Sequence, residues 1–478
     1  MKKVKVDVAV IGAGTAGIAA YRAARAAGAS AALIEGGEPG TTCARVGCMP
    51  SKLLIAAANA ARAVSEASAF GIHVNGGQQV DGRAVMARVR RERDRFVGLV
   101  EHEMLAVPEA DRLHGRAQFL DNRTLAVADH TVVAAKSIVI ASGSRPAGLE
   151  AWPDLGECRI TSDDVFGWED LPQAVAVVGP GVVGLEIGQA LHRLGVRVAV
   201  FGQGGRVGPL SDPEILDYAR RIFGAEFTLE PDGGILSMER EGSRVVIRRT
   251  GKDVAVQTGH FDYVLVATGR TPDIAHLGLD NTTLKCDANG VPISDPGTTR
   301  TVSKTGQSAI FIAGDASNFL PLLHEAADEG RIAGTNAAQL ATGRPVASSL
   351  RRAPLAVVFT DPQIGIVGGG WHALKPGSFL TGQASFEDQG RARIMLRNQG
   401  LMNVYADRIT GRLLGAEIFA PAAEHLAHLL AWALQLDLSV TQMLEMPFYH
   451  PVLEEGLRSA LQDLATQLAA AQPKVRAA

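Results

Sequence analysis

The chain has 478 residues, a length that predicts about three domains rather than one hydrophobic core. Hydrophobic residues make up 46% of it, charged residues 20%, and the formal net charge is −3. This composition excludes a disordered or collagen-like chain. It argues against nucleic-acid or anionic-membrane binding, because those functions need clustered positive charge. With no run of about 18 apolar residues, we expect no transmembrane helix, no membrane partner and a cytoplasmic location.

The first elements in chain order predict a strand, a glycine-rich turn, a helix and a second strand. Val6–Ile11 is apolar and β-branched, helical sequence runs to about Ala27, and Ala31–Ile34 is the next strand. Glu35 ends that strand at the spacing of an acid that accepts hydrogen bonds from a ribose diol, although a surface acid is the alternative. Glycines in such a turn let a pyrophosphate approach the backbone at a helix N-terminus. They are Gly12, Gly14 and Gly17.

Two cysteines, Cys43 and Cys48, follow this unit with four residues between them. The chain has only four cysteines, too few for a disulfide-stapled secreted scaffold. In a cytoplasmic protein the pair indicates redox chemistry or metal binding. No second Cys/His pair has zinc-like spacing, so we expect no metal site. The remaining alternative is two buried structural thiols.

The pattern of strand, glycine turn, helix and strand occurs a second time. Ala174–Val178 is a strand, a helix runs to about Leu194, and Arg197–Phe201 is the following strand. The glycines of this turn are Gly179, Gly181 and Gly184. One such motif is weak evidence, but two copies in the same context predict two dinucleotide-binding sites.

Three further apolar runs end in small or acidic residues, as nucleotide-binding strands do: Ser137–Ser144, Tyr263–Arg270 and Ile310–Asp315. From about Leu350 onward, strand-like stretches alternate with amphipathic helix, which predicts a separate α+β domain. We also expect a frayed tail after Gln472.

These motifs together resemble the flavin-dependent pyridine nucleotide–disulfide oxidoreductases, and among them most closely the dihydrolipoamide dehydrogenase type. Family members carry a C-x-x-x-x-C pair after the first nucleotide unit, as Cys43 and Cys48 do here. They also carry an A-x-G-D-like motif, matched by Ile312–Asp315, and a late His-Pro segment, matched at His450. The resemblance extends over nearly the whole chain.

The resemblance implies an α/β fold with two Rossmann-like dinucleotide-binding domains and an α+β C-terminal dimerisation domain. The expected limits are 1–150 for the FAD-binding domain and 151–272 for the NAD(P)-binding domain. Residues 273–348 would complete the FAD-binding or central domain, and 349–478 would form the dimerisation domain. A homodimer is therefore implied.

The resemblance also implies roles for individual residues. Cys48 would exchange electrons with the flavin, and Cys43 would be the thiol that attacks the external disulfide. Lys52 would lie near the flavin and pair with Glu186 beside the nicotinamide. The implied FAD-binding residues are Gly12, Gly14, Gly17, Glu35, Thr42, Lys52, Ser142, Gly143, Gly314 and Asp315. The implied NAD-binding residues are Gly179, Gly181, Gly184, Glu186 and Gly269.

The late His-Pro segment supplies the expected base. His450 would take the proton from the substrate thiol or from Cys43 of the other subunit, and Glu455 would hold its ring in the required tautomer. A turn without catalytic function is the alternative. The same resemblance puts His324 near the flavin, where a role as an ordinary helix residue is the alternative.

Several positions depart from the family pattern. Thr41 replaces a Gly before the redox pair, Arg45 replaces an Asn within it, and Phe448 replaces a His two residues before the base. An Arg at this place would depress a thiol pKa or recognise an anionic substrate. In the second nucleotide unit Gly202 stands in place of the ribose acid, and Gln203 in place of an Arg for a 2′-phosphate. Arg206 could hold the 2′-phosphate instead, but an ordinary loop charge is the favoured alternative. NAD is therefore expected, while NADP stays open.

The leading hypothesis is a flavoprotein that passes electrons from dihydrolipoamide through Cys43 and Cys48 and FAD to NAD. Its partners would be a small thiol or disulfide, or the lipoyl domain of a 2-oxo acid dehydrogenase complex. One alternative is an NAD(P)H-dependent reductase of a low-molecular-weight disulfide, a quinone or a metal ion. Another is a non-catalytic flavoprotein subunit of such a complex, although both thiols and the ionisable residues named above are retained.

Overall fold

The computed structural model describes residues 1–76, 78–250 and 256–471, so the tail after Gln472 lies outside the described residues. Two parallel-sheet regions and a separate C-terminal antiparallel sheet confirm the expected fold class. Within the described ranges no helix combines the length and the apolar character needed to cross a membrane.

The strands in chain order are β1 (Lys2–Ile11), β2 (Ala31–Glu35), β3 (Arg112–His114), β4 (Ala117–Phe119), β5 (Thr124–Val127), β6 (Thr131–Ile140), β7 (Ser144–Pro146), β8 (Arg159–Ile160), β9 (Ala174–Val178), β10 (Arg197–Phe201), β11 (Thr228–Glu230), β12 (Ile235–Glu241), β13 (Arg244–Thr250), β14 (Val256–Phe261), β15 (Tyr263–Val266), β16 (Arg270–Pro272), β17 (Arg300–Ser303), β18 (Gly306–Ile312), β19 (Leu355–Val358), β20 (Gln363–Val367), β21 (Phe379–Ser385), β22 (Leu401–Asp407) and β23 (Leu413–Ala420).

The α-helices in chain order are α1 (Thr15–Ala26), α2 (Thr42–Arg45), α3 (Cys48–Glu66), α4 (Gly82–Leu105), α5 (Ser162–Val165), α6 (Val182–Arg193), α7 (Pro213–Glu226), α8 (Leu323–Ala341), α9 (Gly390–Ile394), α10 (Ala423–Gln435), α11 (Val440–Leu444) and α12 (Glu455–Ala471). Short 3₁₀ turns connect several of these elements.

The first sheet has the strand order β17-β18-β6-β1-β2-β3, with β4 and β5 attached through β6. Strands β18, β6, β1, β2 and β3 are parallel to their neighbours in this series. Their carboxyl ends therefore meet at one edge, which is where ligands bind in open α/β sheets. The first sheet is built from two separate parts of the chain. Strands β1 to β6 precede the second nucleotide unit, and β17 and β18 follow it.

The second sheet repeats the parallel arrangement in the order β11-β10-β9-β15-β8. Every residue of β9 is buried, which fits a strand covered on both faces by other elements. Helix α6 follows β9 as α1 follows β1. An antiparallel sheet of order β12-β13-β14 belongs to the same stretch of chain.

The C-terminal sheet is antiparallel, in the order β19-β20-β23-β22-β21. Helix α10 packs on β20 and β23, and α12 packs on β21 and β22. Helix α10 has an apolar face that includes Leu426 and Leu430, both fully buried. The loop between β19 and β20 contacts α6, so this domain meets the second nucleotide unit at that helix.

Candidate active site

A cleft of about 560 Å³ opens at the carboxyl edge of the first sheet. Sequence-predicted residues from four separate segments line it: Gly12, Gly14, Glu35, Thr42, Ser142 and Gly143. Arg45 also lines this cleft and forms an ion pair with Glu38. The cleft therefore combines the glycine turn, the acid at the end of β2 and the start of the cysteine segment.

The glycine turn is open to a ligand at Gly14 and closely packed at Gly17. A Cβ atom on Gly17 would lie 1.8 Å from the Gly12 carbonyl oxygen, so α1 packs directly on the turn. A Cβ on Gly14 would meet nothing within 4 Å, and Gly14 lines the cleft. A phosphate group can therefore approach the backbone at Gly14, at the N-terminus of α1. This cradle fits the pyrophosphate of a dinucleotide such as FAD.

Two acids, Glu35 in the lining of the cleft and Asp315 outside it, are fixed by hydrogen bonds. Glu35 accepts from the backbone amides of Ala13 and Gly37, each at 2.7 Å. Asp315 accepts from the Ser144 hydroxyl at 2.7 Å, and Arg270 donates to the same hydroxyl at 2.8 Å. No sequence motif predicts a role for Ser144 or Arg270, because their pairing depends on the antiparallel contact between β7 and β16.

A second cleft, of about 1200 Å³, opens at the equivalent edge of the second sheet. Its glycine turn repeats the geometry of the first. A Cβ on Gly184 would lie 2.0 Å from the Gly179 carbonyl oxygen, while a Cβ on Gly181 would meet nothing within 4 Å. The residues lining this cleft include Gly179, Gly181, Gly202, Gln203, Arg206 and Gly269.

The second cleft differs from the first at the end of its second strand. Gly202 occupies the place that Glu35 has in the first unit, and a Cβ there would lie 2.5 Å from Cγ of Pro180. Pro180 occupies the place of Ala13, but proline has no backbone N–H to donate. The sequence alone showed the missing acid, but it did not show that Pro180 fills the space of a side chain at that position.

The cysteine pair lies where α2 ends and α3 begins. Gly47 lies between the two helices, and a Cβ on it would come within 3.1 Å of the Cys43 Cα. The Thr41 side chain caps α2 by accepting from the Ala44 amide at 3.2 Å. This compact turn brings the thiols of Cys43 and Cys48 close together.

The two thiols differ in acidity. The hydrogen bond from Cys43, followed by the positive charge of Lys52, lowers the pKa of Cys48 to about 7. The same hydrogen bond and burial raise the pKa of Cys43. Cys48 is also the first residue of a 19-residue helix, a place that favours a thiolate. Cys48 is therefore the sulfur that carries negative charge near neutral pH.

An ion pair connects the cysteine helix to the second nucleotide unit. Lys52 Nζ lies 2.7 Å from Oε2 of Glu186, whose side chain is 4% exposed. Glu186 Oε1 accepts from the Phe359 backbone amide at 2.8 Å, and Lys52 Nζ lies 4.7 Å from the centre of the Phe359 ring. Three parts of the chain meet here. Phe359 was not singled out from sequence, because no motif marks it.

His450 and Glu455 form a pair that lines neither cleft. His450 Nδ1 lies 3.0 Å and 3.1 Å from the two carboxylate oxygens of Glu455, and the ring is exposed. The hydrogen bond from His450 lowers the pKa of Glu455. With the proton on Nδ1, Nε2 is free to accept a proton from outside. His324 also lines neither cleft, and its Nε2 lies 3.8 Å from Glu325 Oε1.

Family models match most of the chain. Residues 6–330 match the pyridine nucleotide-disulphide oxidoreductases, and residues 355–461 match the dimerisation domain of the same family. A dihydrolipoyl dehydrogenase of Chlamydia muridarum (strain MoPn / Nigg) is 30% identical over 481 residues, covering 97% of each chain. A mercuric reductase of Shigella flexneri is 32% identical over 473 residues, covering 95% of this chain and 80% of that one.

Solved structures of similar fold include flavoproteins. LpdA from Mycobacterium tuberculosis superposes with a TM-score of 0.79 at 24% identity, covering 97% of this chain and 100% of that one. The HOCl-induced flavoprotein disulfide reductase RclA from Escherichia coli gives a TM-score of 0.78 at 20% identity, covering 95% of this chain and 99% of that one. With the matched models and relatives, the chain belongs to the pyridine nucleotide-disulphide oxidoreductases, a family of oxidoreductases that use FAD and NAD(P).

Proposed function

We propose that the protein exchanges two electrons between NAD(P) and a small dithiol or disulfide, with dihydrolipoamide as the favoured substrate and NAD as the favoured coenzyme. The observation that carries this proposal is the close pair of Cys43 and Cys48 beside the Lys52–Glu186 ion pair. A low-pKa thiol next to a second thiol is the arrangement that thiol–disulfide exchange requires.

The first cleft would hold FAD and the second would hold the nicotinamide coenzyme. The turn at Gly14 would take the FAD pyrophosphate, Glu35 the adenosine ribose, and Asp315 a further hydroxyl group. The turn at Gly181 would take the pyrophosphate of NAD(P). When bound, FAD supplies hydride exchange with the nicotinamide and two-electron exchange with the cysteine pair.

The cysteines would divide the exchange chemistry between them. In the direction of dihydrolipoamide oxidation, a substrate thiolate attacks the Cys43 sulfur of the Cys43–Cys48 disulfide, and the electron pair of the broken bond leaves on Cys48. The second substrate thiolate then attacks the mixed disulfide, and Cys43 leaves as a thiolate that takes up a proton. The product is a disulfide, and its two electrons now reside on the protein thiols. Lys52 stabilises the negative charge on Cys48.

His450 would serve as the base for this exchange, oriented by Glu455. Among the described residues His450 pairs with Glu455, and no hydrogen bond or ion pair joins it to the cysteines of its own chain. We therefore propose that it acts on the cysteine pair of the other subunit in a homodimer. The presence of the family's dimerisation domain supports this arrangement. In that position Nε2 would take the proton from the substrate thiol, and Glu455 would stabilise the imidazolium.

The test compares cysteine variants of the purified holoprotein. Cys48→Ser and Cys43→Ser should each lower NAD-dependent oxidation of dihydrolipoamide by at least about 10³-fold, because the exchange needs both sulfurs. Cys286→Ser is the matched control, since Cys286 is exposed and lines neither cleft. It should keep full activity.

The same preparations are assayed with NADH and NADPH as donors and with a low-molecular-weight disulfide, a quinone and Hg²⁺ as acceptors. Turnover of dihydrolipoamide that depends on both cysteines supports the proposal, and its loss in the Cys286 variant would contradict it. If the protein reduces another disulfide or Hg²⁺ in a cysteine-dependent reaction but does not oxidise dihydrolipoamide, that acceptor is the substrate in place of dihydrolipoamide. Cysteine-independent quinone reduction would refute the disulfide mechanism, and lack of turnover with every acceptor would favour a non-catalytic subunit.

A further inference from the structure

A buried charge cluster lies next to the turn that carries Asp315, whose carboxylate accepts from Ser144 in the lining of the first cleft. It consists of Arg351, from the segment between α8 and β19, and of Glu325 and Glu329 on α8. Arg351 Nη2 lies 2.5 Å from Glu325 Oε2 and 2.9 Å from Glu329 Oε1. The two glutamate side chains are 3% and 2% exposed, so neither carboxylate is solvated by bulk water.

Glu329 connects this cluster to the Asp315 turn. Its Oε2 accepts from the Gly314 backbone amide at 2.7 Å and from the Ser317 hydroxyl at 3.2 Å. Both donors belong to the single 3₁₀ turn Gly314–Ser317, which also contains Asp315. One carboxylate therefore determines where the backbone on both sides of Asp315 lies.

The cluster has two carboxylates and one guanidinium. A buried carboxylate without a compensating charge is costly, and burial raises the pKa of Glu329. A protonated Glu329 would lose acceptor strength toward the Gly314 amide. The only other cationic candidate that the described part of the chain brings near is His324, whose Nε2 lies 3.8 Å from Glu325 and not from Glu329.

We propose that Arg351 is a positioning residue for FAD: by compensating Glu325 and Glu329 it holds Glu329 in the hydrogen bond to Gly314 and so fixes the turn that carries Asp315. This inference rests on the proposed FAD site. It adds a residue that contacts neither cleft to those that determine FAD affinity. Arg351 also lies over the Phe319 ring, 5.4 Å from its centre, so a packing role must be separated from the charge role.

The test uses the holoprotein and measures the FAD dissociation constant and the flavin reduction potential. Arg351→Gln leaves two buried carboxylates without compensation and should weaken FAD binding by about tenfold or more, with a shifted potential. The triple variant Arg351→Gln/Glu325→Gln/Glu329→Gln has no buried charge left to compensate, and the new amide oxygen at residue 329 can still accept from the Gly314 amide. It should bind FAD within about threefold of wild type.

The neighbouring residue offers a matched control. Arg352 Nε lies 2.9 Å from a carboxylate oxygen of Asp328 on α8, but the Arg352 side chain is 68% exposed. Arg352→Gln should leave both readouts unchanged. If the triple variant binds FAD as weakly as Arg351→Gln, the guanidinium acts by packing on Phe319 and the proposal is wrong.

A further variant separates this inference from the FAD site itself. If Asp315→Ala binds FAD like wild type, the proposed FAD site is wrong. If Asp315→Ala weakens binding while Arg351→Gln does not, only the role of Arg351 is refuted. Should Arg351→Gln fail to fold, Arg351→Lys, which keeps the positive charge, is compared with the triple variant. Near-wild-type FAD binding by both supports the proposal, and weak binding by the triple variant refutes it.

Discussion

The two glycine turns have the same geometry, but the strands beside them end differently. In both units the third glycine packs on the carbonyl of the first, and the middle glycine is open. In the first unit Glu35 accepts from the Ala13 amide, whereas in the second the Pro180 ring lies where a side chain at Gly202 would begin. The open glycine turn is thus repeated in the chain, while the acid at the end of the second strand is not. A matching motif therefore predicts that a dinucleotide binds, but not which one.

The largest expected effect comes from adding a methyl group at the third glycine of each turn, where no space exists for it. Gly17→Ala puts a methyl group against a backbone oxygen, so we expect loss of bound FAD and a fall in the free energy of unfolding of about 3 kcal/mol. Gly184→Ala should keep FAD and lose NAD(P) binding. The measurements are the flavin-to-protein ratio, the coenzyme dissociation constant and the denaturation midpoint.

Gly14→Ala is the control for this pair, because its Cβ meets no protein atom. It should fold like wild type, and any loss of FAD would then come from contact with the ligand itself. If Gly17→Ala keeps FAD, the close packing of Gly17 on Gly12 is not required for FAD binding, and the prediction for the first turn is wrong.

The next effect tests the ion pair that joins the two units. Lys52→Met removes the positive charge beside Cys48, so the pKa of Cys48 should rise from about 7 toward the ordinary thiol value of about 8.5. Because the thiolate is the reactive form, iodoacetamide alkylation of the reduced protein should need a higher pH, and its rate at pH 7 should fall by about tenfold. Glu186→Gln should shift the profile to lower pH, since that carboxylate opposes the thiolate.

Lys136→Met is the matched control, because Lys136 pairs with Asp7 at 2.8 Å on the surface of the first unit. Its alkylation profile should equal that of wild type. An unshifted profile in Lys52→Met would mean that the hydrogen bond from Cys43 alone determines the acidity of Cys48.

The smallest effect concerns coenzyme choice. Gly202→Glu alone should weaken the binding of both NADH and NADPH, because the new side chain collides with the Pro180 ring. Pro180→Ala/Gly202→Glu restores the space and the backbone amide of the first unit, so the ratio of kcat/KM for NADH over NADPH should rise by about tenfold. If Gly202→Glu by itself gives that rise, Pro180 is not the obstacle.

The reciprocal substitution in the first unit is Ala13→Pro, which puts a proline at the position equivalent to Pro180. It removes the amide that donates to Glu35, and FAD affinity should fall by a few-fold. Unchanged FAD binding would show that Glu35 needs only the Gly37 amide.

The amino-acid sequence by itself determined the fold class, the two glycine turns and most of the elements around them. Ala174–Val178 and Arg197–Phe201 were predicted with the bounds that the structure has. Continuous apolar strands and glycine spacing are local signals, so they can be recognised without knowing the fold. The resemblance named Lys52 and Glu186 together, 134 residues apart in the chain, and the structure gives them a 2.7 Å contact. The domain limits and the roles of the site residues stay predictions.

Only the tertiary structure decided the contacts that have no local pattern. Pro180 against Gly202, Ser144 against Asp315, and Phe359 against Lys52 each join segments that approach through sheet order and domain packing. The position of Arg351 beside two glutamates of α8 depends on the path of an irregular segment. Such contacts involve ordinary residue types at unremarkable spacing, and their energy comes from burial, which the chain acquires only when it is folded.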